Sequence, residues 1–71
     1  MQKEKGSSIA KNIRKYRKIK GLSQDKLSKV ADVAFHTITK IESGNTPNPT
    51  IKTVKKIADA LGVGIDALMK E

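Results

Sequence analysis

Two short apolar repeats lie on either side of Asp32, and their shortness constrains the fold more than any other feature of the chain. In the first repeat, Leu27, Val30 and Ala31 recur at spacings of three and four, which predicts a helix of about two turns. The second repeat predicts a helix over about residues 34–43. Helices this short are not stable alone, so both must pack against neighbouring elements. Two short helices joined by a turn of three or four residues form a helix-turn-helix unit.

Apolar spacing predicts three further helices around this unit. One begins at an N-cap at Ser7 or Ser8, one follows the N-cap Thr50, and a short last helix spans about residues 65–70. The apolar stripes are Ile9, Ile13 and Tyr16 in the first helix, and Ile51, Val54, Ile57, Ala58 and Leu61 in the fourth. No segment alternates in the manner of a strand. We therefore predict an all-α domain of five helices over residues 7–71, preceded by a frayed tail at residues 1–6.

The composition argues against several kinds of site. The chain of 71 residues has no cysteine and a single histidine, so neither a disulfide nor a zinc site is expected. We predict no metal and no cofactor. No apolar stretch reaches the roughly 18 residues of a membrane span, and no signal peptide is visible, so we expect a cytoplasmic protein.

The charge points to an anionic partner. Fifteen Lys and Arg against seven Asp and Glu give a net charge of +8, which favours nucleic acid or an anionic membrane surface. A charge that only aids solubility is the third interpretation, and composition alone does not choose among them. A membrane fits poorly, because the basic residues are spread over helices whose apolar faces are needed for a core.

The third predicted helix presents a polar face on the side away from its apolar residues. Projection at 100° per residue places His36, Lys40 and Ser43 on this face, with Thr39 beside them and Phe35 at its margin. Such a face can donate and accept hydrogen bonds in the major groove of DNA, where each base pair has a distinct pattern. Two interpretations of Phe35 stay open: packing over a neighbouring helix, or contact with a thymine methyl group or a sugar.

The run GLSQDKLSKVADVAFHTITKIESGNTPNPTIKTVKKIADALGV resembles the Xre or lambda-repressor-like helix-turn-helix family of the Cro/C1 type. Its most specific pieces are LSQDKL, TITKIESG, the NPT before the fourth helix, and IADALGV, in that order and spacing. The resemblance covers about residues 8–70. It implies a compact five-helix domain that binds double-stranded DNA, usually as a homodimer on a palindromic operator, to control transcription.

The resemblance also implies roles for individual residues. Base contacts are expected from Ala34, Phe35, His36, Thr39 and Lys40. Phosphate contacts are expected from Gln24, Ser43, Asn45, Asn48 and Thr50. A phosphate contact is also expected from Lys52, for a reason independent of the resemblance: a phosphate near the start of a helix is stabilised by the helix dipole. Arg17 and Glu42 match an ion pair that joins the first helix to the end of the third.

The chain departs from the family pattern at three positions in or just before the third helix. One of them is Phe35, where relatives commonly have a polar residue. Asp32 stands where relatives often have Gly in the left-handed position of the turn, and Asp tolerates that conformation better than most residues. Ala34 stands where Ser or Thr is frequent, so the third helix is expected to lack its side-chain cap, at a cost of about 1 kcal/mol.

Two functions from different classes follow. The leading one is a sequence-specific DNA-binding transcriptional regulator, acting as a repressor that covers its operator. The alternative is a protein-interaction or adaptor module with the same fold and only weak, non-specific DNA binding. An enzyme is not predicted, since no nucleophile lies beside a base and no Gly-rich phosphate loop is present; no small-molecule substrate is expected. Ile65, Leu68 and Met69 are read as core residues, part of whose surface also closes a dimer.

Overall fold

The computed structural model describes residues 5–45 and 49–70, and in these residues all regular structure is helical. The five helices are α1 (Lys5–Ile19), α2 (Gln24–Ala31), α3 (Phe35–Ser43), α4 (Ile51–Leu61) and α5 (Ile65–Met69). The all-α prediction with five helices is confirmed for the described part of the chain.

The first helix starts earlier than the sequence predicted. We expected Ser7 or Ser8 to cap it, but both lie inside α1, which begins at Lys5. This prediction was wrong because a serine is favourable at a cap yet also tolerated within a helix, so a local propensity does not fix the start.

Local side-chain caps fix the starts of α2 and α4. The Ser23 hydroxyl accepts a hydrogen bond from the Lys26 backbone N–H at 3.0 Å, and the Thr50 hydroxyl accepts one from Thr53 at 3.2 Å. Each satisfies a backbone donor that has no partner within its own helix. Gly44 ends α3 in a left-handed conformation with φ 87°, which an L side chain rarely adopts.

The turn between α2 and α3 has the conformation that the sequence predicted. Asp32 has a left-handed backbone conformation, with φ 58° and ψ 48°. It is the only residue other than glycine with a positive φ among those that the structure describes. Ala34 stands at the N-cap of α3 with no side-chain cap, as expected for a residue without a hydroxyl.

A single core joins the five helices. α1 packs against α3, α4 and α5, while α2 packs against α3 and α4, and α4 also contacts α5. The core contains Ile9, Ile13, Leu27, Ala31, Ile38, Ile41, Val54, Ile57, Ala58, Leu61 and Leu68. α3 thus packs against α1 and α2, with its Ile38 and Ile41 buried.

Two apolar residues that the spacing assigned to the core are exposed. Val30 is 53% exposed and Ile51 is 61% exposed. Val30 lies off the face of α2 that Leu27, Ser28 and Ala31 bury, and Ile51 lies in the first turn of α4, ahead of the buried residues of that helix. Spacings of three and four thus include residues beside the covered face and at the end of a helix, and the packing decides which of them are covered.

None of the described helices is both long and apolar enough to span a membrane. Within the same residues, no group of three or more His, Cys, Asp or Glu side chains is arranged to hold a metal ion.

Candidate nucleic-acid interface

The outer face of α3 is polar and accessible, and its opposite face is packed into the core. His36, Lys40 and Ser43 are exposed, and Thr39 is half-buried. On the opposite side of the same helix Ile38 and Ile41 are fully buried. The structure therefore brings together on one accessible strip three residues that were assigned to base edges, His36, Thr39 and Lys40, and one that was assigned to phosphate, Ser43.

The two hydroxyls on this strip, those of Thr39 and Ser43, each donate a hydrogen bond to a backbone carbonyl of α3. The Thr39 hydroxyl donates to the His36 carbonyl at 2.9 Å, and the Ser43 hydroxyl donates to the Lys40 carbonyl at 2.9 Å. Each oxygen keeps a free lone pair, so in these conformations both hydroxyls face a ligand as acceptors. Lys40, by contrast, is a donor only.

The N-terminal end of the strip is apolar. Phe35, the first residue of α3, is 49% exposed, and the Ala34 methyl precedes it on the exposed surface. Phe35 as a whole residue is about half exposed and half covered by the protein, so both interpretations of this residue fit its burial. Apolar groups of this kind can contact a thymine methyl in the major groove.

A buried ion pair fixes the other end of α3. The Arg17 guanidinium meets the Glu42 carboxylate in two hydrogen bonds, at 2.8 Å from Nε and 3.0 Å from Nη2. The side chains are 13% and 3% exposed, respectively. A third Arg17 bond reaches the Leu22 carbonyl at 2.9 Å. This bidentate geometry is the strongest form of an Arg–carboxylate contact, so it ties α3 to α1 and to the turn before α2.

Two further side chains donate hydrogen bonds to Glu42, and neither contact was predicted from the sequence. The Gln24 side-chain amide donates to Glu42 Oε1 at 2.9 Å, and Arg14 Nη1 donates to the Glu42 backbone carbonyl at 2.6 Å. Gln24, predicted only as a phosphate contact, keeps its second amide N–H for that purpose. Arg14 is exposed like Lys11, Lys15 and Lys18 of the same helix, and no local pattern distinguishes it from them.

The predicted phosphate contacts lie around the turn after α3 and the start of α4. Asn45 is exposed and follows the left-handed Gly44, while Asn48 lies outside the described residues. The Thr50 hydroxyl caps α4 and also donates to the Thr53 hydroxyl at 3.0 Å, so its hydrogen is used within the protein. Lys52 is exposed in the first turn of α4, where the helix dipole favours an anion.

The C-terminal surface differs from the predicted dimer surface. Leu68 has no exposed area, so its prediction as a core residue is confirmed, while its assignment to a dimer surface does not fit this burial. The reason is that α5 packs this side chain inward against α1 and α4. Ile65 is half-buried against the core, and Met69 is 45% exposed.

A family model and a curated protein each match most of this chain. A helix-turn-helix family model matches residues 13–68. The HTH-type transcriptional regulator SinR of Bacillus licheniformis is 35% identical over 63 residues, which cover 89% of this chain and 57% of that protein. The chain thus spans little more than half the length of this curated relative.

Two solved structures are similar over nearly the whole chain. One is the N-terminal DNA-binding domain of SinR from Bacillus subtilis, with a TM-score of 0.86 and 35% identity, covering 89% of this chain and 91% of that one. The other is SinR, a master regulator for biofilm formation, in complex with DNA. It has a TM-score of 0.85 and 34% identity, and covers 87% of this chain and 98% of that one.

Proposed function

The chain belongs to the Xre-type helix-turn-helix family, and from that premise we propose that it is a sequence-specific, double-stranded DNA-binding transcriptional regulator. α3 enters the major groove, and the protein represses transcription by covering its operator. The observation that carries the proposal is the polar strip of α3 (His36, Thr39, Lys40 and Ser43), exposed along a helix whose other side is fully buried. A major groove admits one such helix.

The residues of α3 differ in the base groups that they contact: some donate a hydrogen bond, some accept one, and some are apolar. Lys40 donates to guanine O6 and N7, and Thr39 accepts from a base amino group through its free lone pair. His36 contacts a base edge or an adjacent phosphate. Ala34 and Phe35 form the apolar end that meets thymine methyl groups.

Phosphate contacts flank the strip and supply most of the affinity. Gln24 uses its second amide N–H at the start of α2, and Lys52 uses its ammonium group at the start of α4. Asn45 and Asn48 add their side-chain amides around the turn between α3 and α4. Ser43 and Thr50 join them when their hydroxyl hydrogens turn from the Lys40 carbonyl and the Thr53 hydroxyl to a phosphate oxygen. The net charge of +8 supports binding of a polyanion and makes its affinity sensitive to salt.

The protein acts as a homodimer on a palindromic operator, with the exposed side chain of Met69 and the half-buried Ile65 as part of the dimer surface. Its place of action is the cytoplasm, on the nucleoid, because that is where its DNA ligand lies. It carries out no catalysis and needs no cofactor.

Selection from a pool of random duplexes at near-physiological salt tests the proposal. Fluorescence anisotropy then compares the selected duplex with a scrambled one. We expect a palindromic site bound about 10³-fold or more tightly than the scrambled duplex. If no site emerges and binding disappears as salt is added, the proposal fails, and an adaptor that works through a protein partner becomes the better account.

A pair of variants tests the role of the strip. Lys40→Ala should weaken binding to the selected site by about 1 to 3 kcal/mol and relax the preference at one base position. Lys11→Ala removes the same charge from an exposed position on α1 and should leave that preference intact. Equal effects of the two changes would show that Lys40 contributes only charge.

A further inference from the structure

The end of α3 has an unusual partner for one of its last carbonyl groups. The last four carbonyls of a helix have no partner within it. Here the Lys40 carbonyl accepts from the Asn45 N–H at 3.0 Å, and the Ile41 carbonyl accepts from Gly44 at 3.1 Å. These are bonds from the chain's own turn. The Glu42 carbonyl instead accepts from Arg14, a side chain of another helix, at 2.6 Å.

The charge of Arg14 suits this position. The C-terminal end of a helix carries partial negative charge, and a cation placed there is stabilised by it. A hydrogen bond from a guanidinium is also shorter and stronger than one between neutral groups. The Arg14–Glu42 contact is therefore both a cap and an electrostatic attachment of α3 to α1.

Arg14 and Arg17 together hold one residue at two points. They are three positions apart on α1 and thus lie on the same side of that helix. Arg17 binds the carboxylate of Glu42, and Arg14 binds its main-chain carbonyl. The Arg17 bonds act on the backbone of α3 only through the torsions of the Glu42 side chain, whereas the Arg14 bond is made to the backbone itself.

The last turn of α3 carries two residues of the polar strip, Lys40 and Ser43. Recognition groups need to be held within about 0.5 Å of their productive positions. We propose that Arg14 is a positioning residue for DNA recognition: it sets the orientation of the last turn of α3 and thereby sequence discrimination, without itself contacting phosphate. This inference rests on the proposed function and deepens it.

Anisotropy titrations of Arg14→Gln test the proposal, with Lys11→Gln as the matched control on the same helix. Each variant loses one positive charge from an exposed residue of α1, and of the two residues Arg14 is the one that bonds to α3. We expect Arg14→Gln to lower the ratio of selected-site to scrambled-duplex affinity by about five- to tenfold. Both variants should show the same slope of log affinity against log salt. The ratio should be unchanged in Lys11→Gln.

Two outcomes overturn the proposal. One is an unchanged ratio in Arg14→Gln when the wild-type protein discriminates. The other is a uniform loss of affinity for both duplexes with a salt slope reduced by about 0.9 relative to Lys11→Gln, which marks a lost phosphate contact. Should Arg14→Gln fail to fold, Arg14→Lys is compared with the wild-type protein by the same criteria, since the two have equal charge.

Amide hydrogen exchange in the free protein gives a readout that does not depend on DNA. The N–H groups of Gly44 and Asn45 close the last turn of α3, and we expect them to exchange about five- to tenfold faster in Arg14→Gln than in Lys11→Gln. Equal exchange in the two variants overturns the positioning role. If the wild-type protein itself fails to discriminate between duplexes, the proposed function fails, and exchange alone decides whether Arg14 orders the end of α3.

Discussion

Removing Arg17 should destabilise the protein far more than removing any exposed basic residue. In Arg17→Met the Glu42 carboxylate loses two of its three side-chain hydrogen bonds, those at 2.8 and 3.0 Å, and keeps only the one from Gln24 at 2.9 Å. The carboxylate side chain is 3% exposed, so water does not replace the lost donors. The variant therefore strands a nearly unpaired charge in the interior.

The size of the effect follows from this burial. Breaking a buried pair by removing one partner costs about 3 to 5 kcal/mol. A domain of this length has a free energy of unfolding of roughly 4 to 11 kcal/mol, at 0.05 to 0.15 kcal/mol per residue. The loss is thus a large fraction of the total stability, and at the lower end of that range Arg17→Met is largely unfolded at 25 °C.

Urea unfolding followed by far-ultraviolet circular dichroism measures this loss, because all regular structure in the described residues is helical. Lys55→Ala is the control. It removes an i, i+4 pair with Asp59 whose side chains are 64% and 67% exposed, and it should cost no more than about 0.5 kcal/mol. The double variant Arg17→Met with Glu42→Leu should recover much of the loss, since it leaves no buried charge without a partner.

The result that would refute this reasoning is a loss below about 1 kcal/mol in Arg17→Met, the size expected of an exposed pair. A double variant as unstable as the sum of its single changes would also refute it. In that case the two side chains would not be coupled, and the bidentate contact would contribute nothing beyond their separate packing.

Three smaller changes test other features of the fold, each by urea unfolding. Asn12→Ala removes two hydrogen bonds from the Asn12 amide to the end of α5, at 2.8 and 2.6 Å; it should cost about 1 to 2 kcal/mol, and amide exchange at Leu68 should accelerate. Asp32→Gly relieves a left-handed residue with φ 58° and should stabilise by up to about 1 kcal/mol, whereas Asp32→Ala should destabilise. Ala34→Ser supplies the missing cap of α3 and should add about 1 kcal/mol, and no gain would show that the N-cap geometry does not admit a hydroxyl bond.

The polar strip of α3 was predictable because it depends on one helix only. Once residues 34–43 are helical, projection at 100° per residue decides that His36, Lys40 and Ser43 lie opposite the apolar side. The structure places all three on the exposed surface. The Arg17–Glu42 pair came from the family resemblance instead, since its partners are 25 residues apart in the chain.

The contacts of Arg14 and Gln24 with Glu42 were not predictable in the same way. These residues lie 28 and 18 positions from Glu42 in the chain, and nothing local marks them. Whether such side chains reach a common partner depends on the crossing angles and separations of three helices. No pattern within one helix encodes these quantities.

The sequence by itself determined the local structure: the number of helices, the serine and threonine caps of α2 and α4, and the left-handed residues that end α2 and α3. Each follows from hydrogen bonding and backbone sterics within a few residues. Only the tertiary structure decided that Val30, Ile51 and Met69 are exposed, and that Arg14 and Gln24 each donate a hydrogen bond to Glu42. Burial and long-range hydrogen bonds are properties of several packed helices, so the pattern of any one helix cannot specify them.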